Sequence, residues 1–170
     1  MKVILISGKA GSGKDEVAKL LKMYLGNTVI TKLAKYIKLF ASEMTDWDGE
    51  EDDKPRTFLQ EMGDNLRLLD KNFLTKRMIE DLKLYEKFYD YVIISDVRLV
   101  NEIEYIKANY LNVVTIRVNA KESTRKLTDT EKEHITETEL DNYNNFDYVI
   151  ENDFKDDLKD EVKEILGGIE

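Results

Sequence analysis

One stretch near the start of the chain, Lys2-Val-Ile-Leu-Ile-Ser7-Gly8-Lys-Ala-Gly11-Ser-Gly13-Lys14-Asp15, restricts the fold more than any other. Val3 to Ile6 is an apolar run of strand length, Gly8 to Lys14 has the spacing G-x-x-x-x-G-K, and Val17, Ala18, Leu20 and Leu21 then recur at helical spacing. A strand that hands over to a helix through such a loop must turn tightly, and the glycines let several backbone N–H groups converge on one point. The helix beginning near Gly13 adds the positive end of its dipole there. A nest of this kind holds phosphate, and Lys14 brings a mobile full charge to the β/γ oxygens of a nucleotide. An ordinary glycine-rich β–α turn is the alternative, and the flanking strand and helix weigh against it.

The usual hydroxyl residue after the lysine, a magnesium ligand in loops of this type, is replaced by Asp15. A carboxylate can ligate Mg²⁺ directly or through water, but it sets a negative charge beside a triphosphate, which metal and cations must offset.

The rest of the chain supplies limits. Its 170 residues, 42% hydrophobic, suit a single domain over 1–170 with a full core. No apolar run approaches the roughly 20 residues of a membrane span, and no signal peptide is visible. The absence of cysteine excludes disulfides and thiolate catalysis and fits a cytoplasmic setting. A net charge of −9 disfavours non-specific nucleic-acid or membrane binding, so any phosphate site must be built from local cations. The partners expected are small-molecule nucleotide substrates, with the chain a monomer or homodimer.

Beyond the first helix the pattern alternates. Thr28–Thr31 is a short strand, and Leu33, Ile37, Phe40, Ala41 and Met44 follow at helical spacing. The acidic stretch 45–53 is a solvated loop or, alternatively, a mobile segment anchored by Trp47. Pro55 sits in the first turn of a helix whose buried face is Phe58, Leu59, Met62, Leu66 and Leu69. Arg56, Gln60, Gly63 and Arg67 share another face, which is either solvated or a cradle for an anionic substrate. A helix over about 72–89 has Phe73, Ile79, Leu82, Leu84, Tyr85 and Phe88 as its core candidates. Tyr91–Ser95 is a continuous apolar strand, with Asp96-Val-Arg98 at its carboxyl end, where open α/β sheets bind ligands. There Asp96 can orient Mg²⁺ or its water, and Arg98 can neutralise a phosphoryl group in transfer. A helix through Ile103 and Ile106 and a strand over Val113–Val118 follow. The polar segment 119–138 is either a surface loop or a lid carrying Arg125 to the transferring group. A strand over Phe146–Ile150 and a helix through Leu158, Val162 and Ile165, ended by Gly167-Gly168, complete an α/β chain: three α/β/α layers with a five-stranded parallel sheet.

Four blocks also resemble a known family. Ser7 to Asp15 resembles the loop of the bacteriophage-type deoxynucleoside monophosphate kinases and the related phosphomevalonate kinases, within the P-loop nucleoside monophosphate kinase superfamily. Arg56-Thr-Phe-Leu-Gln60-Glu-Met-Gly63-Asp-Asn-Leu-Arg67 resembles their R-x-x-L-Q-x-x-G-x-x-x-R helix. Asp96-Val-Arg-Leu-Val-Asn101-Glu102 is similar to D-V-R-F-P-N-E, and His134-Ile-Thr-Glu137 to H-x-S-E, in which the lone histidine is positional rather than catalytic. The resemblance implies ATP and Mg²⁺, an acceptor-binding helical section over about 32–90 and a lid over about 119–138. The expected reaction is phosphoryl transfer to a deoxynucleoside monophosphate. Dephospho-coenzyme A, phosphomevalonate or a modified base in phage DNA are the alternative acceptors, and a non-catalytic nucleotide sensor is a further alternative. In this scheme Gly8, Lys9, Ala10, Gly11, Ser12, Gly13, Lys14 and Asp15 hold the donor, with Asp15 and Asp96 at the metal. Arg56, Gln60, Arg67 and Arg98 hold the acceptor, and Lys14, Arg98 and Arg125 are catalytic.

Overall fold

The computed structural model describes residues 1–49, 53–120, 128–154 and 158–169, and at 53–56, 130 and 131 the backbone alone. In chain order the elements are β1 (Lys2–Ser7), α1 (Lys14–Leu25), β2 (Thr28–Thr31), α2 (Lys35–Met44), α3 (Asp53–Leu69), α4 (Phe73–Tyr85) and β3 (Tyr91–Val97). They continue with α5 (Val100–Asn109), β4 (Val113–Ala120), the short α6 (Asp129–Glu133) and α7 (Ile135–Thr138), and a 3₁₀ turn at Glu139–Asn142. β5 (Tyr148–Asn152) and α8 (Leu158–Ile169) complete the order.

The strands form a five-stranded sheet in the order β2-β3-β1-β4-β5, with every pairing parallel. Alternation along β1 divides the core. Val3 and Leu5 face one layer, packed with Ile37 of α2, Met78 and Leu82 of α4, and Ile103 and Ile106 of α5. Ile4 and Ile6 face the other, against Val17 and Leu21 of α1 and Val162 and Ile169 of α8. The result is the α/β/α architecture expected, with β1 flanked on both sides and its loop opening at the carboxyl end, where the strand order switches direction.

Two irregularities aim side chains at that end. The β1/β3 register passes from Leu5–Ile94 to Ser7–Val97, so β3 carries an extra residue at Ser95–Asp96. A bulge of this kind turns adjacent side chains out of the regular alternation. The glycine loop also needs left-handed backbone at Gly11 (φ 72°) and Gly13 (φ 90°), which a side chain disfavours.

Several expected core positions lie elsewhere. The buried stripe of α4 is Leu74, Met78, Ile79 and Leu82, leaving Phe73, Leu84 and Phe88 exposed. Ile79 and Leu82 are buried as expected, but Leu74 and Met78 complete the stripe in place of Phe73 and Leu84, because a helix has room for a single buried face. Phe40, Met44, Phe58 and Leu69 are likewise exposed, whereas Leu59, Met62 and Leu66 pack against the core. Gly167 and Gly168 do not end α8, which continues to the buried Ile169. Gly168 is instead a close-packing position, where a Cβ would overlap the Tyr148 hydroxyl.

Gly8 is constrained from two sides: a Cβ there would stand 2.6 Å from the Val118 carbonyl oxygen of β4 and overlap the Ser12 hydroxyl. Because strand backbone cannot step aside, Gly8→Ala is expected to cost about 1–3 kcal/mol, read as a lower denaturant midpoint at unchanged slope.

Candidate active site

The glycine loop, the residues leading into α2, one face of α3 and the end of β3 enclose a cavity of about 250 Å³. Lys14 is almost fully buried, and its ammonium donates to the carbonyl of Lys9, within its own loop, at 3.2 Å. Burial and the nearby Arg98 lower its pKa to about 8, against the opposing pull of Asp15, Glu137 and Asp96. The Ser12 hydroxyl, also in the loop, is buried with no hydrogen-bond partner among the described residues. The Ser12 carbonyl accepts from Asn152 Nδ2 at 3.0 Å, so the end of β5 braces the loop. Lys9 pairs with Asp141 at 2.7 Å, and the other oxygen of Asp141 accepts from Arg117 at 3.1 Å. Arg117 also donates to Ser7 at 3.0 Å, adding a second cation at the strand ends.

The two carboxylates expected to serve a metal differ in their surroundings. Asp15 is half-exposed, accepts from Ser95 Oγ at 3.0 Å and pairs with Lys32 at 2.9 Å. Burial works against its ionisation, but the Lys32 and Ser95 contacts prevail and hold its carboxyl below the usual range. Asp96 has a task the sequence did not reveal: its two oxygens accept the backbone N–H groups of Leu33 (2.7 Å) and Ala34 (2.9 Å) at the entry to α2. It therefore ties the end of β3 to the turn that leads into α2, more than sixty residues earlier in the chain. Burial raises its pKa against the pull of those amides and Arg98.

Among the described residues no three His, Cys, Asp or Glu side chains cluster to form a metal cage. Mg²⁺ needs none: it keeps several waters and binds through one or two carboxylates plus substrate phosphates. An orphaned hydroxyl in the loop, the amide nest and the Asp15 carboxylate beside it therefore fit a magnesium nucleotide.

On the opposite wall, Gln60, Gly63, Arg67 and Arg98 line the same cavity as Ala10, Gly11 and Lys14. Arg67 lies 3.3 Å from Asp64 and 3.5 Å from the buried Glu102. The bare Gly63 serves Arg67 itself, whose Nη1 would stand 3.0 Å from a Cβ there, with Ile37 Cδ1 at 3.1 Å. Glu102 also accepts from the N–H groups of Arg98 (2.8 Å) and Leu99 (3.1 Å), and burial raises its pKa despite Arg67. Arg98 donates to Glu137 at 2.7 Å. The Arg56 side chain and Arg125, with residues 121–127 of the expected lid, lie outside the described residues, and the rest of that segment forms the end of β4 and the short α6 and α7.

The expected residues Lys14, Asp15, Gln60, Arg67, Asp96 and Arg98 line one cavity, which Lys32 and Glu102 also line; Ser95, Arg117, Asp141 and Asn152, which the sequence did not single out, stand behind it in contact with the glycine loop and the residues flanking it. Arg117 left a trace, as the one charge within the apolar strand Val113–Val118. Asp141 and Asn152 left none, because only the fold brings them to the loop.

A phosphate nest facing a second group of cations across a parallel sheet's switch point defines a P-loop kinase. A family model described as "Phosphomevalonate kinase" matches residues 6–112, and the chain belongs to that family. The phosphomevalonate kinase of Drosophila melanogaster is 28% identical over 188 residues, an alignment covering 98% of this chain and 95% of that protein. Among solved structures, TT1252 from Thermus thermophilus is similar at a TM-score of 0.60 and 20% identity, covering 99% of this chain and 98% of that one. Dephospho-CoA kinase from Campylobacter jejuni gives 0.54 at 12% identity, covering 99% and 97%. These two likenesses support the fold. The family uses ATP and Mg²⁺ generally, and among the described residues no helix is long and apolar enough to cross a membrane.

Asp96→Ala removes the acceptor for two backbone N–H groups at once. It is expected to lower stability by about 1–3 kcal/mol, visible as a lower melting temperature, with Asp96→Asn recovering part of the loss.

Proposed function

We propose that this protein transfers the γ-phosphoryl group of ATP to the phosphate of a short, branched aliphatic phosphomonoester, with mevalonate 5-phosphate the acceptor that fits best. The observation that carries this reading is the composition of the cavity wall. The cavity is lined by the cations Lys14, Lys32, Lys38, Arg67 and Arg98 and by the aliphatic side chains of Leu33, Ile37, Leu59 and Leu74, and none of the described lining residues is aromatic. A lining of several cations and aliphatic carbon, without an aromatic face, complements a small molecule that carries phosphate, carboxylate and a methyl-bearing chain. The family match supports the same acceptor.

A second reading, a deoxynucleoside monophosphate acceptor, draws on Gln60, which lines the cavity and carries an amide suited to a base edge.

In either case a non-bridging oxygen of the acceptor phosphate forms the new P–O bond. The bond from the γ-phosphorus to the β–γ bridging oxygen breaks, and ADP departs with that electron pair. The attacking phosphate is already ionised at neutral pH, so no general base is needed. What the protein must do is align two anions and screen their repulsion. Lys14 and the N–H groups of residues 8–14 hold the donor. Arg67, with Arg56, holds the acceptor phosphate. Arg98, with Arg125, faces the group in transfer. Asp15, and Asp96 through water, would hold Mg²⁺, which when bound shields the charge on the phosphoryl oxygens.

Incubation with ATP and Mg²⁺ against an acceptor panel, with products separated, tests the assignment. Mevalonate 5-phosphate is expected to give its diphosphate with kcat/KM at least about tenfold above any deoxynucleoside monophosphate. The reverse order would transfer the assignment to nucleotides, and no diphosphate from any acceptor would refute the kinase reading.

A pH dependence follows from Lys14. The triphosphate is drawn to the charged ammonium, and in the free enzyme that charge is lost as pH rises through about 8. Hence kcat/KM for ATP should be level below that pH and decline toward about tenfold per unit above it. A level profile to about pH 9.5 would contradict this role for Lys14.

A further inference from the structure

The tetrapeptide His134-Ile-Thr-Glu137, at the junction of α6 and α7, touches every working part of the cavity. Glu137 is 3% exposed and uses both carboxylate oxygens: Oε2 accepts the N–H of Ala10 in the glycine loop at 2.9 Å, and Oε1 accepts from Arg98 Nη1 at 2.7 Å. His134 reaches the opposite wall. Its Nδ1 lies 3.3 Å from the Thr136 N–H, which donates to it, and 2.9 Å from the Thr136 hydroxyl. Nε2 stands 2.9 Å from Asp64 Oδ2 and donates to it, while Asp64 Oδ1 accepts from Arg67 at 3.3 Å. A buried carboxylate beside a phosphate nest opposes anion binding, so a role confined to holding the chain together would be better filled by a neutral group.

We propose that His134 and Glu137 are positioning residues that set the two cavity arginines relative to the glycine loop. Glu137 fixes Arg98 against the donor loop, and His134 fixes Asp64 and, through it, Arg67. Oriented cations stabilise a transferring phosphoryl group only when held in place before it arrives, and two long flexible side chains need external partners to be so held. The proposal rests on the kinase reading and extends it: a segment from outside both substrate-facing elements couples the donor side to the acceptor side.

The test combines calorimetric ATP affinity, steady-state kinetics with the acceptor the wild type uses, and melting temperature for four variants. Glu137→Gln keeps an oxygen for the Ala10 N–H but turns an NH₂ toward Arg98. It should lower kcat by about a hundredfold and bind ATP as tightly as wild type or more tightly, since a negative charge has left the site. Glu137→Asp keeps the charge but is too short to span both partners, so it should lose kcat similarly with no gain in ATP affinity. His134→Ala should raise the acceptor KM about tenfold with kcat and ATP affinity near wild type, and His134→Gln, whose amide can donate to Asp64, should restore most of it.

Weaker ATP binding by Glu137→Gln overturns the proposal, and so does an unchanged kcat in that variant or an acceptor KM in His134→Gln no better than in His134→Ala. Wild type that binds ATP but phosphorylates no acceptor instead refutes the kinase reading, and the Glu137→Gln affinity still decides whether that carboxylate acts as described.

Discussion

Mutual repulsion among cations is the constraint around which this site is built. An enzyme that joins two phosphates needs several positive charges in a small volume, and those charges repel one another as strongly as they attract substrate. The consequence is visible at Lys14, where burial and Arg98 have already eroded the hold on its proton. The remedy is to give neighbouring cations a carboxylate each: Glu137 for Arg98, Asp141 for Lys9 and Arg117, Asp64 and Glu102 for Arg67, Asp15 for Lys32. Each pairing cancels charge before substrate arrives and fixes the geometry of a side chain that would otherwise wander. On a molecule with a net charge of −9, local attraction of anions therefore depends on where the cations point rather than on their number.

The sheet makes this arrangement possible. With β1 between β3 and β4, the glycine loop emerges beside the ends of both neighbours. β4 contributes Arg117, and β3 contributes Ser95, Asp96 and, just beyond its end, Arg98. At the bulge in β3, Ser95 donates to Asp15 in the first turn of α1 and Asp96 accepts from the turn before α2, so a single strand end joins the two helices. The same helices that cover one face of the sheet also supply the aliphatic wall of the cavity, through Ile37, Leu59 and Leu74.

Elements whose signals are local were legible in the chain. The alternating run before Gly8, the glycine spacing and the helical recurrence after it all lie within about twenty residues, and the structure follows them. The row Gln60, Gly63, Arg67 was legible as one face of a helix, though the use of Gly63 by its own neighbour Arg67 was not, because a side chain can fold back along its helix. Core assignment failed where apolar residues outnumber the places available: α4 has one buried stripe, and sequence cannot say which of two adjacent spacings faces the sheet. The pairing of Asp96 with the amides entering α2, sixty-two residues away from Ala34, was invisible for a different reason. A carboxylate that pairs with amides on a distant turn has no sequence signature. The acceptor was the least legible feature, since the motifs describe phosphate handling and not the rest of a substrate.

A crystal structure with ADP and an unreactive acceptor analogue bound together tests the central claim most directly. The account predicts Lys14 and the loop amides on the β-phosphate, with Arg67 and Arg98 both within hydrogen-bonding distance of the acceptor phosphate, across one shared cavity. An acceptor bound elsewhere, or arginines that keep their carboxylates and leave its phosphate to solvent, would contradict it.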